Sequence, residues 1–324
     1  MSTVNVLVTR RAALFGGGAL VTAASVGSLP AMAAQSLAEG SKAAAPSAQF
    51  KLGSAKVATL LDGAVNAKEP QKTFGMNQSA EAFDDASKAN FIPADAFKAY
   101  FTPTVVQIGG ETILFDTGVG SGGLPARGNL SAALAGVELK PEDIDVVVLT
   151  HMHPDHIGGL MQDGAPAFKN ARYVTGADEF DFWAKMDPEA NGVAKLFSKN
   201  VKPLADKMSF IKGGDSVVPG IEAVEAFGHT PGHMVYLVES DGKQALLAAD
   251  TANHYVWSLA YPDWEVRFDM DKGAAAETRK KIFGMVASDR IPFVGYHMPF
   301  PAAGYVEAVG SGFRYVPVSY QLDM

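Results

Sequence analysis

The chain has 324 residues, 48% of them hydrophobic, enough for a sizeable core and, by length alone, for about two domains. Its 27 Lys and Arg against 35 Asp and Glu give a formal charge of −8, which argues against a nucleic-acid partner, whose phosphates are gripped by Lys and Arg. There is no cysteine, which excludes disulfides, thiolate metal ligands and a cysteine nucleophile, and suits an oxidising compartment.

Residues 1–33 read as an export leader. Thr9-Arg10-Arg11 is a twin-arginine start, a Gly- and Ala-rich apolar stretch follows, and Ala31-Met32-Ala33 offers a small-x-small cleavage site. Cleavage there gives a periplasmic or secreted protein with no stable membrane association. Residues 34–54, rich in Ala, Ser and Lys, are expected to be a flexible linker, and 55–324 the folded domain. Val57–Leu61 with Asp62-Gly63 reads as a strand and turn, and residues 70–100, without a clear period, as a flap. Residues 104–108 and 112–115 around Gly109-Gly110 predict a hairpin ending at Asp116. A buried strand over 144–149 leads into a polar cluster. Residues 176–207 are expected to be helical, 221–226, 234–238 and 245–249 to be strands, 271–286 a helix, and 291–294 a last strand. Mixed strands, hairpins and helices suggest two mixed sheets packed face to face with helices outside, in a single domain.

The polar cluster is His151-Met152-His153-Pro154-Asp155-His156. Three imidazoles and a carboxylate within six residues cannot pack as ordinary core, because each ring carries polar atoms that need partners. They are the usual ligands of zinc and similar cations, and residues two apart in a turn can grip one ion. Most of the other histidines also fall in turns after apolar runs: His229 and His233 in Gly-His-Thr-Pro-Gly-His, and His297 after 291–294. Asp250 ends the run 245–249.

These motifs, in this order, resemble the metallo-β-lactamase superfamily over about residues 55–324. Within it, Val218-Pro219-Gly220-Ile221 and Tyr315-Val316-Pro317-Val318 look like the methyl parathion hydrolases. The resemblance implies an α/β (α+β) four-layer αββα sandwich with a dinuclear site. It would place one divalent ion on His151, His153 and His229, a second on Asp155, His156 and His297, and Asp250 between them. Zinc is the expected metal, with manganese, iron or cobalt also compatible with these ligands. Two such ions would turn a bridging water into hydroxide, with Asp155 or Asp250 handling its proton. A homodimer is suggested by the resemblance alone.

The implied substrate is a small neutral ester: a phosphotriester such as methyl parathion, or a lactone or carboxylic ester, with acyl-homoserine lactones the alternative. Val119–Leu124 lacks the aromatic residue expected in a methyl parathion hydrolase. Readings of another class are a mononuclear iron dioxygenase on the same fold and a non-catalytic periplasmic metal-binding protein. Trp183, Phe197, His254 and Tyr255 are candidates for an apolar substrate pocket, against the plain reading that helical aromatics are core and His254 a loop residue. His233 is expected to support rather than ligate, and Asp116 either holds the metal loop or is a simple turn residue. Phe268-Asp269 and Arg279-Lys280-Lys281 are expected to be structural or solvated.

Overall fold

Two seven-stranded sheets dominate the computed structural model, which describes residues 45–120 and 126–318. The first sheet runs, in spatial order, Ser47–Leu52, Ala55–Leu60, Thr104–Ile108, Glu111–Phe115, Val146–Leu149, Arg172–Gly176 and Met208–Ile211. The second runs Ser216–Val218, Ile221–Glu225, Met234–Ser240, Lys243–Ala249, Phe293–Gly295, Ala303–Val309 and Gly312–Pro317. Most neighbours are antiparallel. Val146–Leu149, however, runs parallel to Glu111–Phe115 and to Arg172–Gly176, and Lys243–Ala249 runs parallel to Phe293–Gly295. Parallel neighbours end at the same edge of their sheet. Asp116 and His151 therefore emerge together from the first sheet, and Asp250 and His297 from the second.

The period-two alternation of a strand divides the core. Val146 and Val148 face the second sheet, in one cluster with Val235, Leu246 and Val294. Val147 and Leu149 face outwards, in a cluster with Trp183 and Phe197 on the helices Ala177–Lys185 and Gly192–Asn200. Helix Lys272–Asp289 packs on the second sheet, its Phe283 ring 5.3 Å from Phe293. The result is the αββα arrangement of the metallo-β-lactamase fold, and the described residues belong to one compact unit.

One expectation is corrected and two are refined. Residues 47–52 are not linker: they pair antiparallel with 55–60, and Phe50 and Leu52 enter the core. The leader 1–33 and the linker as far as residue 44 lie outside the described residues. The run 176–207 is helical as expected, in two helices and a short 3-10 segment, with Met186-Asp187-Pro188 at the break, where the pre-proline backbone disfavours helix. The 70–100 stretch carries a helix, Ala80–Ala89, capped by the Ser79 hydroxyl accepting from the Ala82 amide. An antiparallel ribbon of Gly63–Lys68 with Ala96–Phe101 flanks it.

Candidate metal centre

Strand ends bring seven side chains together. One ligand atom from each of His151, His153, His229 and Asp250 lies within 4.8 Å of the others, and the same holds for Asp155, His156 and His297. Asp250 faces both groups: its Oδ2 is 3.3 Å from His229 Nε2 and 3.0 Å from His297 Nε2, and its Oδ1 is 3.2 Å from His156 Nε2. Asp155 Oδ2 lies 3.4 Å from His297 Nε2 and 3.6 Å from His156 Nε2. His153 turns Nδ1 to the centre, 2.9 Å from His229 Nε2.

The remaining ring nitrogens fix which atom faces inwards. His156 Nδ1 donates to Asp116 Oδ2 at 2.8 Å, His229 Nδ1 to Asp269 Oδ1 at 2.9 Å, and His297 Nδ1 to the Tyr100 carbonyl at 2.7 Å. His151 Nδ1 donates to the Thr150 hydroxyl, which itself donates to Asp116 Oδ2. Because carboxylates and carbonyls only accept, Nδ1 carries a proton in each of these rings, and Nε2 is the atom turned towards the centre. Supporting partners of this kind orient metal-binding histidines. His233 stands apart: its Nδ1 donates to the Ala226 carbonyl and its Nε2 accepts from the Asp250 amide, so neither nitrogen is free to ligate.

These residues fit a pair of cations. Nε2 of His151 and of His156 and Oδ1 of Asp250 are buried without a hydrogen-bond partner, as few buried polar atoms are. Burial, aided by the charge of the other histidines, holds His151 and His153 well below the usual histidine range, in the neutral form a ligand needs. Burial opposes charge on His156 and His297 too, but there Asp250 and its neighbouring carboxylates prevail and raise both. Divalent cations would take over the compensation of those carboxylates from these protons.

The structure decides the residues that sequence left open. Asp116 binds the metal loop: besides His156, its Oδ1 accepts from the Thr150 amide at 2.9 Å. Asp269 is no bystander, since it holds His229 and is itself held by Arg279, whose Nη1 lies 2.7 Å from Asp269 Oδ2. Of the two readings left open for the basic run, Arg279 takes the structural one and is buried, whereas Lys280 is partly exposed and pairs with Asp263 and Glu277. Asn253 Nδ2 donates to Asp250 Oδ2 at 2.9 Å, and the Tyr296 hydroxyl donates to the Asp155 carbonyl. Sequence offered no signal for these contacts beyond residue type.

A cavity of about 1150 Å³ opens above the centre and is lined by His153, Asp155, Asp250 and His297. Its apolar walls come from Val65, Phe74, Phe97 and Phe101 on one side and from Val193 and Leu196 on the other. None of the four pocket candidates lines it. Trp183 and Phe197 are core residues facing the first sheet. His254 is buried behind the wall, stacked on Trp257 at 4.2 Å, its Nδ1 accepting from the amides of Val256 and Trp257. Tyr255 borders a different hollow with Tyr315. Helical spacing in the first two cases marked burial, and the flap that supplies the real wall had no readable period.

An αββα sandwich carrying this His and Asp cluster at the strand ends defines a class. Residues 102–293 match the family model described as the metallo-beta-lactamase superfamily, and the chain belongs to it. More particular likenesses run to lactonases. An N-acyl homoserine lactonase of Bacillus sp is 31% identical over 118 residues, 36% of this chain. That match spans 42% of the relative's length, well under half. AidC, a dizinc quorum-quenching lactonase solved with a product N-acyl homoserine, superposes with TM-score 0.80 at 25% identity, over 86% of this chain and 99% of its own. The hydrolase AbOPH of the beta lactamase superfamily gives 0.77 at 26% identity, over the same shares of the two chains.

Proposed function

We propose that the protein is a dinuclear-metal hydrolase of neutral cyclic and linear esters, with N-acyl homoserine lactones as its main substrate class. The observation that carries this reading is the placement of two ligand clusters sharing Asp250 at the floor of an apolar cavity. His151, His153, His229 and Asp250 would hold one divalent zinc ion, and Asp155, His156 and His297, with Asp250, the other. Such ions, when bound, would acidify water and polarise the scissile carbonyl or phosphoryl oxygen.

The chain's own residues do the rest. Asp155, whose side chain is 22% exposed, borders the cavity; with Oδ2 turned to His156 and His297, its other carboxylate oxygen, Oδ1, would take a proton and return it to the leaving oxygen. Asn253 keeps Asp250 oriented through its amide donor. The phenylalanine wall excludes water and accepts an acyl chain by apolar burial. Since ring atoms of Phe74, Phe97 and Phe101 also suit an aryl leaving group, phosphotriesters such as methyl parathion form the second reading. These rings supply from the flap the aromatic surface missing after Asp116.

The test is a parallel hydrolysis screen of metal-quantified protein against acyl-homoserine lactones of graded chain length, simple lactones, aryl esters and methyl parathion. Two ions per chain, lactone turnover and its loss in Asp250→Ala support the reading. Metal-free protein as isolated, or full turnover in that variant, refutes it. Export follows from the twin-arginine leader in the same proposal, and amino-terminal sequencing of the protein from a periplasmic fraction would test cleavage after Ala33.

A further inference from the structure

One buried carboxylate has no part in the chemistry described so far. Glu179 sits in the first turn of helix Ala177–Lys185, which starts where strand Arg172–Gly176 ends. That strand pairs with Val146–Leu149, so the helix start lies beside the His151 loop. The side chain is fully buried, and no ion pair holds it among the described residues. Four donors converge on it instead. Oε1 accepts from the Met152 amide at 2.9 Å and from Trp183 Nε1 at 2.7 Å. Oε2 accepts from the Thr230 hydroxyl at 2.6 Å and the Gly232 amide at 3.0 Å.

The identity of those donors matters more than their number. Met152 lies between His151 and His153, while Thr230 and Gly232 belong to the turn that follows His229. One carboxylate thus ties together the two loops that supply all three histidines of one ligand cluster. The turn is pressed against the helix start: a Cβ on Gly232 would fall 2.1 Å from the Glu179 nitrogen, so only glycine permits this seat. A second tie, from the Met234 amide to the Thr150 carbonyl at 3.1 Å, runs alongside. An apolar residue at position 179 would leave two buried amides without acceptors, and a glutamine would turn an NH2 group towards one pair of donors.

We infer that Glu179 is a positioning residue that fixes the distance between the His151/His153 pair and His229, and thereby sets the affinity of that cluster for its ion. This inference rests on the metal reading above. It separates a clamp on ligand geometry from a carboxylate that merely completes the core, because the Thr230 bond on the loop side and the Trp183 bond on the helix can be removed independently.

The experiment compares Thr230→Val, Trp183→Phe and Glu179→Gln with the parent. Thr230→Val removes a loop donor with little change of shape. Trp183→Phe removes a donor on the helix itself and leaves all three loop bonds. Each protein is measured for zinc content, for zinc affinity by chelator competition, for the absorption spectrum of its cobalt form, and for melting when metal-free. The expected result is that Thr230→Val binds one of its two ions about tenfold or more weakly, with an altered cobalt spectrum. Trp183→Phe should lose stability yet keep the parent's affinity and spectrum. Glu179→Gln, where it folds, should behave as a stronger Thr230→Val. Parent-like affinity in Thr230→Val, or losses of affinity in both variants that merely follow their stability, would overturn the clamp. A parent that takes up no metal would remove the metal reading itself, and the clamp with it.

Discussion

Arg279 offers the sharpest check on how the fold supports the metal centre. Its side chain is 1% exposed, and it donates to Asp269 Oδ2 at 2.7 Å, to the Pro262 carbonyl at 2.8 Å and to the Trp264 carbonyl at 3.2 Å. Arg279→Met keeps much of the volume and removes every donor. Two buried carbonyls lose their partner, and the Asp269 carboxylate stays buried with His229 as its remaining side-chain donor. Burial raises the Asp269 carboxyl, and the hydrogen bond and charge of His229 together with Arg279 outweigh it, leaving the group below its usual range. Removing one partner of such a buried pair costs about 3–5 kcal/mol. At roughly 2 °C per kcal/mol for a domain of this size, the metal-free variant should melt roughly 6–10 °C lower. Because Asp269 orients His229, zinc affinity should also fall about tenfold or more. Arg279→Lys, with a charge but no planar fork, should recover only part of either loss. Thermal melting of the metal-free proteins, followed by chelator competition, measures both. A Met variant that melts within a degree of the parent would refute the argument that this pair holds the segment under His229.

His254 should leave a mark on the pH dependence of stability. Burial lowers its pKa to about 3, whereas the unfolded ring titrates near 6.5. Between those values the unfolded state carries the extra proton, so stability is complete above pH 6.5 and falls as pH drops, by about 1.4 kcal/mol per pH unit. His254→Asn keeps an acceptor for the Val256 and Trp257 amides, and should flatten that slope by one proton in denaturant titrations from pH 6 to 4; an unchanged slope would count against it. Phe97→Ala opens the cavity wall and should raise KM for long-chain acyl-homoserine lactones about tenfold, with kcat and short-chain substrates little changed; equal effects on both chain lengths would remove Phe97 from the acyl path. Chelation should abolish hydrolysis and lower the melting temperature, and added zinc should restore both; activity that survives complete metal removal would contradict the site.

The cluster His151–His156 was legible as a candidate metal site because its chemistry is local. Imidazoles two residues apart, after an apolar strand, have few uses other than gripping a cation, and the strand before them could be read from Val146–Leu149 alone. The pocket was not legible. Trp183 and Phe197 show the same aromatic character as Phe74 and Phe97, and only packing separates core from wall. Strand Ser47–Leu52 was hidden by its Ala- and Lys-rich surroundings, since an edge strand needs only two inward residues, Phe50 and Leu52, to join the sheet.

Sequence by itself marked out the His151–His156 cluster, the order of the motifs and two packed sheets with helices, because each is written in residue types and spacings along a few positions, while the family resemblance implied the full set of candidate ligands and the αββα layering. Tertiary structure alone decided which groups hold those ligands. Asp269 meets His229 across 40 residues and Glu179 meets Gly232 across 53, and a carboxylate has the same sequence signature whether solvated or buried. The role of such a side chain comes from the donors that folding brings to it, and those donors are set by strand register and close packing rather than by neighbours in the chain.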